Sequence, residues 1–95
     1  MRDYWVYIMT NAGNNVLHTG VTNDLQRRVG EHKMGLGSAF TSKYKVHKLV
    51  FYERFVRVTD AIAAEKRIKA GSRVKKVKLI EERNPEWNDL LAEPW

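Results

Sequence analysis

The chain has no cysteine among its 95 residues. That removes a disulfide framework and any thiolate metal site. No apolar run comes near the roughly 20 residues needed to span a bilayer. The opening Met1-Arg-Asp-Tyr-Trp5 leads directly into a strand-like run. It has neither the apolar core nor the cleavage site of a signal peptide. The expectation is a cytoplasmic protein with no membrane partner. A Gly-Lys-Ser or Gly-Lys-Thr phosphate loop is missing, as is a dinucleotide-binding glycine pattern. The histidines His18, His32 and His47 lack the compact spacing of a zinc site. There is no internal repeat, linker or low-complexity segment.

What is present is a single small domain spanning 1–95. Such a chain buries only about 60–65% of its unfolded surface, enough for one modest core. Its hydrophobic fraction of 43% and aromatic fraction of 11% are globular. The net charge is +6, and a basic balance on a small domain favours an anionic partner, nucleic acid first. The charge is segregated. From Lys66 to Lys78 every charged residue is Lys or Arg, whereas from Glu81 onward acids dominate.

Tyr4 to Met9 and Val16 to Val21 read as two strands joined by the turn residues Asn11-Ala-Gly-Asn-Asn15. They predict an antiparallel hairpin. Asn23 is placed as the cap of a helix running to about Met34, with Leu25 and Val29 facing the core. Residues 38–46 read as a polar, lysine-bearing loop, and His47 to Phe55 as a third strand. Thr59 is placed as the cap of a helix over 60–70, ended by Gly71. A last helix starts at Ser72 or Arg73 and stops before Asn84-Pro85, with Trp87 packing back. The predicted fold class is α+β: a three-stranded antiparallel sheet with flanking helices, in the order β-β-α-β-α-α.

The stretch from Gly20 to His32 carries the first chemical signal. Arg28 and His32 stand four residues apart, on one helix face. A guanidinium grips phosphate in a bidentate fork, and an imidazole moves protons near pH 7. Glu65 carries the second. Ile62 and Ile68 lie three residues on either side of it, so helical spacing puts a carboxylate on an apolar stripe. A buried carboxylate needs a cation. Two remain open: a salt bridge, for instance with Arg28, or a hard divalent ion. Magnesium takes one or two carboxylates and fills its shell with water and phosphate oxygens. Tyr7 sits mid-strand on the same face as Trp5, and His18 ends the second strand two residues before Gly20.

Taken in order, these pieces resemble the GIY-YIG nuclease superfamily, and most its small single-domain bacterial branch, UPF0213-like and related to the N-terminal nuclease domain of UvrC. The first signature falls on Trp5-Val6-Tyr7 and the second on His18-Thr19-Gly20. The following helix supplies Arg28 and His32, Ala64-Glu65-Lys66 supplies the glutamate, and Asn84-Pro85-Glu86-Trp87 resembles the closing motif of the branch. The first signature keeps its tyrosine but not its glycine. In the second, His18 stands where the family has tyrosine.

The resemblance implies phosphodiester hydrolysis in DNA with little sequence preference and a role in repair or recombination. One divalent ion, Mg²⁺ or Mn²⁺, would rest on Glu65, and Tyr7, His18, Arg28, His32 and Glu65 would form the catalytic set. Imidazole is intrinsically a better base at neutral pH than phenol, so His18 can take the tyrosine's role. It can equally mark a decayed site. Lys43, Lys45, Lys48, Lys66, Lys69, Arg73, Lys75 and Lys76 are the expected nucleic-acid contacts, with the helix over 73–83 on the cleft side. A partner protein is a further source of specificity. Two alternatives stand beside the enzyme: a nuclease fold that binds nucleic acid without cutting, and a protein-interaction adaptor using the acidic tail with Trp87 or Trp95.

Overall fold

The computed structural model describes residues 3–91. Trp95 and the end of the acidic tail lie outside the described residues. The elements are β1 (Tyr4–Thr10), β2 (Leu17–Thr22), α1 (Leu25–Lys33), α2 (Ala39–Lys43), β3 (Lys48–Phe55), α3 (Val58–Ala70) and α4 (Arg73–Arg83). The sheet is antiparallel throughout, in the order β2-β1-β3. One short helix, α2, is added to the expected order, inside the segment read as a loop.

β1 holds the centre because both of its faces are apolar. Val6 to Thr10 are all buried. Tyr7 and Met9 pack with Leu25 and Val29 of α1 and with Val46 and Leu49, while Trp5 lies against the same cluster. Val6 packs with Ala61 and Ala64 of α3, and Ile8 with Val50, Phe51 and Ile80 of α4. Alternation along one strand therefore divides the molecule into two layers. α1 covers one face of the sheet; α3 and α4 cover the other. A register shift between Ile8 and Met9, paired with Phe51 and Leu49, passes over Val50. That bulge lets Val50 and Phe51 both enter the α4-side cluster.

Three local expectations are corrected. Asp24, not Asn23, caps α1: its carboxylate accepts the Arg27 N–H at 3.1 Å. Asp24 reaches the third residue on, the usual geometry of a side-chain cap. α3 begins at Val58, so Thr59 lies inside it, and the flanking Arg57 makes no side-chain cap. The buried stripe of α3 is Ala61, Ala64 and the partly buried Ile68, while Ile62 is exposed. Small alanines let α3 approach the sheet, which the larger Ile62 would prevent. Ser72 does cap α4, accepting from Lys75 N–H. Gly71 does stand at the α3 C-cap, with φ −75°, a conformation that needs no glycine.

The chain after α4 is fastened by two side chains. The Asn84 amide donates to Val50 O at 3.1 Å and Asn88 O at 2.9 Å, and its oxygen accepts Asn88 N–H at 2.9 Å. Asp89 accepts Leu49 N–H at 3.1 Å and pairs with Lys33 of α1. Trp87 packs back on the Ile8–Ile80 cluster, as expected. Asn84→Ala strips three bonds from a buried site and leaves the Val50 carbonyl unsatisfied. It should cost on the order of 3 kcal/mol in urea unfolding, with an unchanged m-value. A loss below about 1 kcal/mol would show that the segment is not held this way.

Candidate active site

The site is built where β1, β2 and α1 meet. Tyr7 is paired with Gly20, and Met9 with His18, so Tyr7 and His18 share the α1-side face. The Tyr7 ring lies across Gly20: a Cβ there would fall inside the phenol. This is the physical need behind the glycine that ends the second signature. Tyr7 OH lies 3.2 Å from His32 Nε2. The ring centroids of Tyr7 and His18 are 6.1 Å apart, those of Tyr7 and His32 5.9 Å, and those of His18 and His32 5.1 Å. Two histidines distant in sequence are thus in contact, something spacing alone does not reveal.

His32 is fully buried. Its Nδ1 lies 3.2 Å from Thr41 Oγ1. Thr41 is held in turn by a reciprocal cap with Ser38 at the start of α2. Gly37 lies flat on the imidazole, where a Cβ would collide with Nδ1 and with Thr41 Oγ1. Thr41 and Gly37 were missed in the sequence. The Ser38–Thr41 spacing was the available signal, since a hydroxyl three residues after Ser is a capping pattern.

Arg28 lies on α1, with Glu31 accepting from its Nη1 at 2.9 Å. It also faces the Tyr7 hydroxyl. Glu31 first, then Tyr7, holds its guanidinium above the ordinary arginine value. Glu65 is mostly buried and pairs with Lys69 at 2.9 Å, not with Arg28 as the salt-bridge reading had it. Both charges act on His18. Tyr7, His18, Arg28 and His32 are therefore brought together, while Glu65, on α3, reaches the group through its charge on His18. The expected basic contacts divide. Lys43, Lys45 and Lys48 lie on and after α2, which carries Thr41, and Lys69 stands beside Glu65. Arg73 is occupied, donating to the carbonyls of Asn14 and Asn15. Lys75 and Lys76, on α4, line a pocket with Arg67, Ile68 and Leu79 that none of the five candidate residues lines.

Burial sets the protonation states. It pushes the Tyr7 phenol above 10, against the opposing charges of Arg28 and Lys69. Burial also lowers His18, with Lys69 and Arg28 adding to it and Glu65 opposing. His32 is lowered to about 4, by burial first and then by His18 and Arg28. At pH 7 the cluster is a protonated phenol with two neutral imidazoles, one buried and one half-buried.

Among the described residues no three His, Cys, Asp or Glu side chains are grouped to hold a metal. A cage of three or four protein ligands, as zinc requires, is not offered. A lone carboxylate, Glu65, suits a hard ion that keeps its water and takes its remaining donors from substrate phosphate. The residues present fit magnesium or manganese in that form. No helix among the described residues is long and apolar enough to cross a membrane.

A model of the GIY-YIG catalytic domain matches residues 3–78, and all five candidate residues fall within it. The chain belongs to the GIY-YIG family. A UPF0213 protein of Staphylococcus haemolyticus is 36% identical over 83 residues, which is 87% of this chain and 100% of the relative. A UPF0213 protein of Natronomonas pharaonis is 38% identical over 78 residues, 82% of this chain and 91% of that one. The solution NMR structure of the UPF0213 protein BH0048 from Bacillus halodurans superposes with a TM-score of 0.59 at 26% identity, covering 97% of this chain and 99% of the other. The GIY-YIG family is of the nuclease type, and the α+β architecture described above is consistent with it.

Two outcomes follow from this packing. Gly20→Ala forces the Tyr7 ring out of place. Overpacking of that kind should lower stability by about 1–3 kcal/mol in denaturant unfolding; a neutral result would mean the phenol moves freely. Unfolded histidine titrates near 6.5 and His32 near 4, so between these values only the unfolded chain binds the proton. The stabilisation is complete above about pH 6.5 and is lost as pH falls toward 4, on the order of 3 kcal/mol in all. His32→Gln should flatten that part of the stability–pH curve; an unchanged slope would count against the buried neutral imidazole.

Proposed function

We propose that the chain is a divalent-metal-dependent endonuclease that hydrolyses phosphodiester bonds in DNA with little intrinsic sequence preference, serving repair or recombination in the cytoplasm. The observation that carries this reading is the gathering of Arg28 with the Tyr7–His18–His32 rings, and the Glu65 charge acting on His18 adds to it. Family membership supports it.

Arg28 binds the phosphate, held in aim by Glu31. A fixed guanidinium offers its charge where negative charge develops in the transition state, without reorganising. His18 takes the proton of the attacking water. It is half-buried and its pKa lies below 6.5, so at pH 7 its lone pair is free. Tyr7 does not serve as that base, because its buried phenol stays protonated. It orients instead, fixed between Gly20, His32 and Arg28. Glu65 would hold the metal, which when bound supplies charge neutralisation at the phosphate and leaving oxygen. Lys69 is the more exposed member of its pair with Glu65 and can turn outward as the carboxylate changes partner.

The test is nicking of supercoiled plasmid with Mg²⁺ or Mn²⁺. Arg28→Ala and Glu65→Gln should each lower the rate by about 10²–10³-fold. The wild-type rate should fall as pH drops below the His18 pKa, and His18→Gln should remove that limb. Salt-sensitive binding without cleavage under any metal would overturn the enzyme in favour of a binding module, since phosphate contacts release counterions.

A further inference from the structure

One surface beside this site has no part in the chemistry above. The α1–α2 connection and α2 expose large apolar side chains: Met34 is 68% exposed, Leu36 69%, Phe40 48% and Tyr44 43%. Phe40 and Tyr44 stand four residues apart, their ring centroids 5.0 Å apart. Lys43 Nζ sits 5.4 Å from the Tyr44 ring centre. Between Glu31 and Glu53 the chain has no carboxylate, while Lys33, Lys43, Lys45 and Lys48 all fall there. The bordering acids are already engaged, Glu31 with Arg27 and Arg28 and Asp89 with Lys33.

We propose that Phe40 and Tyr44 form a stacking platform for unpaired nucleotides of the bound nucleic acid, with Lys43 and Lys45 on the adjoining phosphates. Aromatic faces interleaved with cations and free of acid match a ligand of alternating bases and phosphates whose bases are unstacked. A duplex hides its base faces and would leave both rings in water. The platform is mechanically joined to the site, because α2 also carries Thr41, which holds His32. Unpaired nucleotides lying on it would adjoin the phosphate gripped by Arg28. The position of that phosphate rests on the hydrolase reading; the stacking itself does not.

The experiment uses the Glu65→Gln protein in EDTA, so that cleavage plays no part. Fluorescence anisotropy compares labelled oligothymidine, a blunt duplex of equal length, and an abasic strand carrying the same phosphates. Oligothymidine should bind tightest. The Phe40→Ala, Tyr44→Ala double variant should bind oligothymidine roughly tenfold or more weakly, with its abasic-strand affinity and salt slope unchanged. Both substituted positions are exposed, and an unchanged unfolding midpoint establishes that the variant is folded. Tighter binding to the duplex, equal binding of base-bearing and abasic strands, no effect of the double variant, or binding only to anionic vesicles would each overturn the platform. Failure of plasmid nicking would overturn the hydrolase and leave this result standing.

Discussion

The Tyr7 phenol lies across Gly20 and ends on a buried imidazole, and the site is arranged around that contact. It demands a glycine on β2, a helix that delivers His32 from the side, and a loop that closes over the far edge of His32. Each demand is met by a different segment. A side chain on Gly20 would displace the phenol; one on Gly37 would displace the imidazole. Interiors packed at such density transmit small errors instead of absorbing them. The geometry of this ring cluster is therefore set by two glycines that carry no chemistry.

Burial also divides labour among groups that look similar in sequence. His18 and His32 touch, yet His32 is sealed and His18 is half open. The sealed ring is packed on all sides, and the open one keeps part of its surface toward solvent. Both are kept neutral at physiological pH by the same desolvation, reinforced by neighbouring cations. A histidine in the tyrosine position of the second signature thus stands where its lone pair is usable. Tyr7, one strand further in, is buried with its hydroxyl against His32.

Much of this was legible before the structure. The hairpin could be read from its Asn11-Ala-Gly-Asn-Asn15 turn, α4 from Ser72, and the sheet from strand composition. Arg28 and His32 could be paired because helical spacing is short-ranged. α2 was not legible: its stability comes from Thr41 gripping His32, a contact across layers, and Ser-Ala-Phe-Thr-Ser-Lys has little intrinsic helical preference. The partner of Glu65 was missed for a different reason. Lys69, four residues on, is the local partner, and Arg28 is held by Glu31 instead. The stripe of α3 was read from its isoleucines, whereas close approach to the sheet is made by Ala61 and Ala64. Charge runs were the least informative, since members of the basic run from Lys66 to Lys78 turn to different partners, Lys69 to Glu65 and Arg73 to the carbonyls of Asn14 and Asn15.

The strap from Asn84 to Asp89 has a consequence for the order in which parts of this domain can come apart. It bonds to β3 through Val50 and Leu49 and to α1 through Lys33. α1 is short, contains Gly30, and has few apolar residues of its own, so alone it would fray at low cost. Closing the ring from α4 back to α1 joins that weak helix to β3. Fraying of the C-terminal end of α1 then has to break the Lys33–Asp89 pair. The helix that carries Arg28 is thus anchored, at Lys33, by a residue more than fifty positions away.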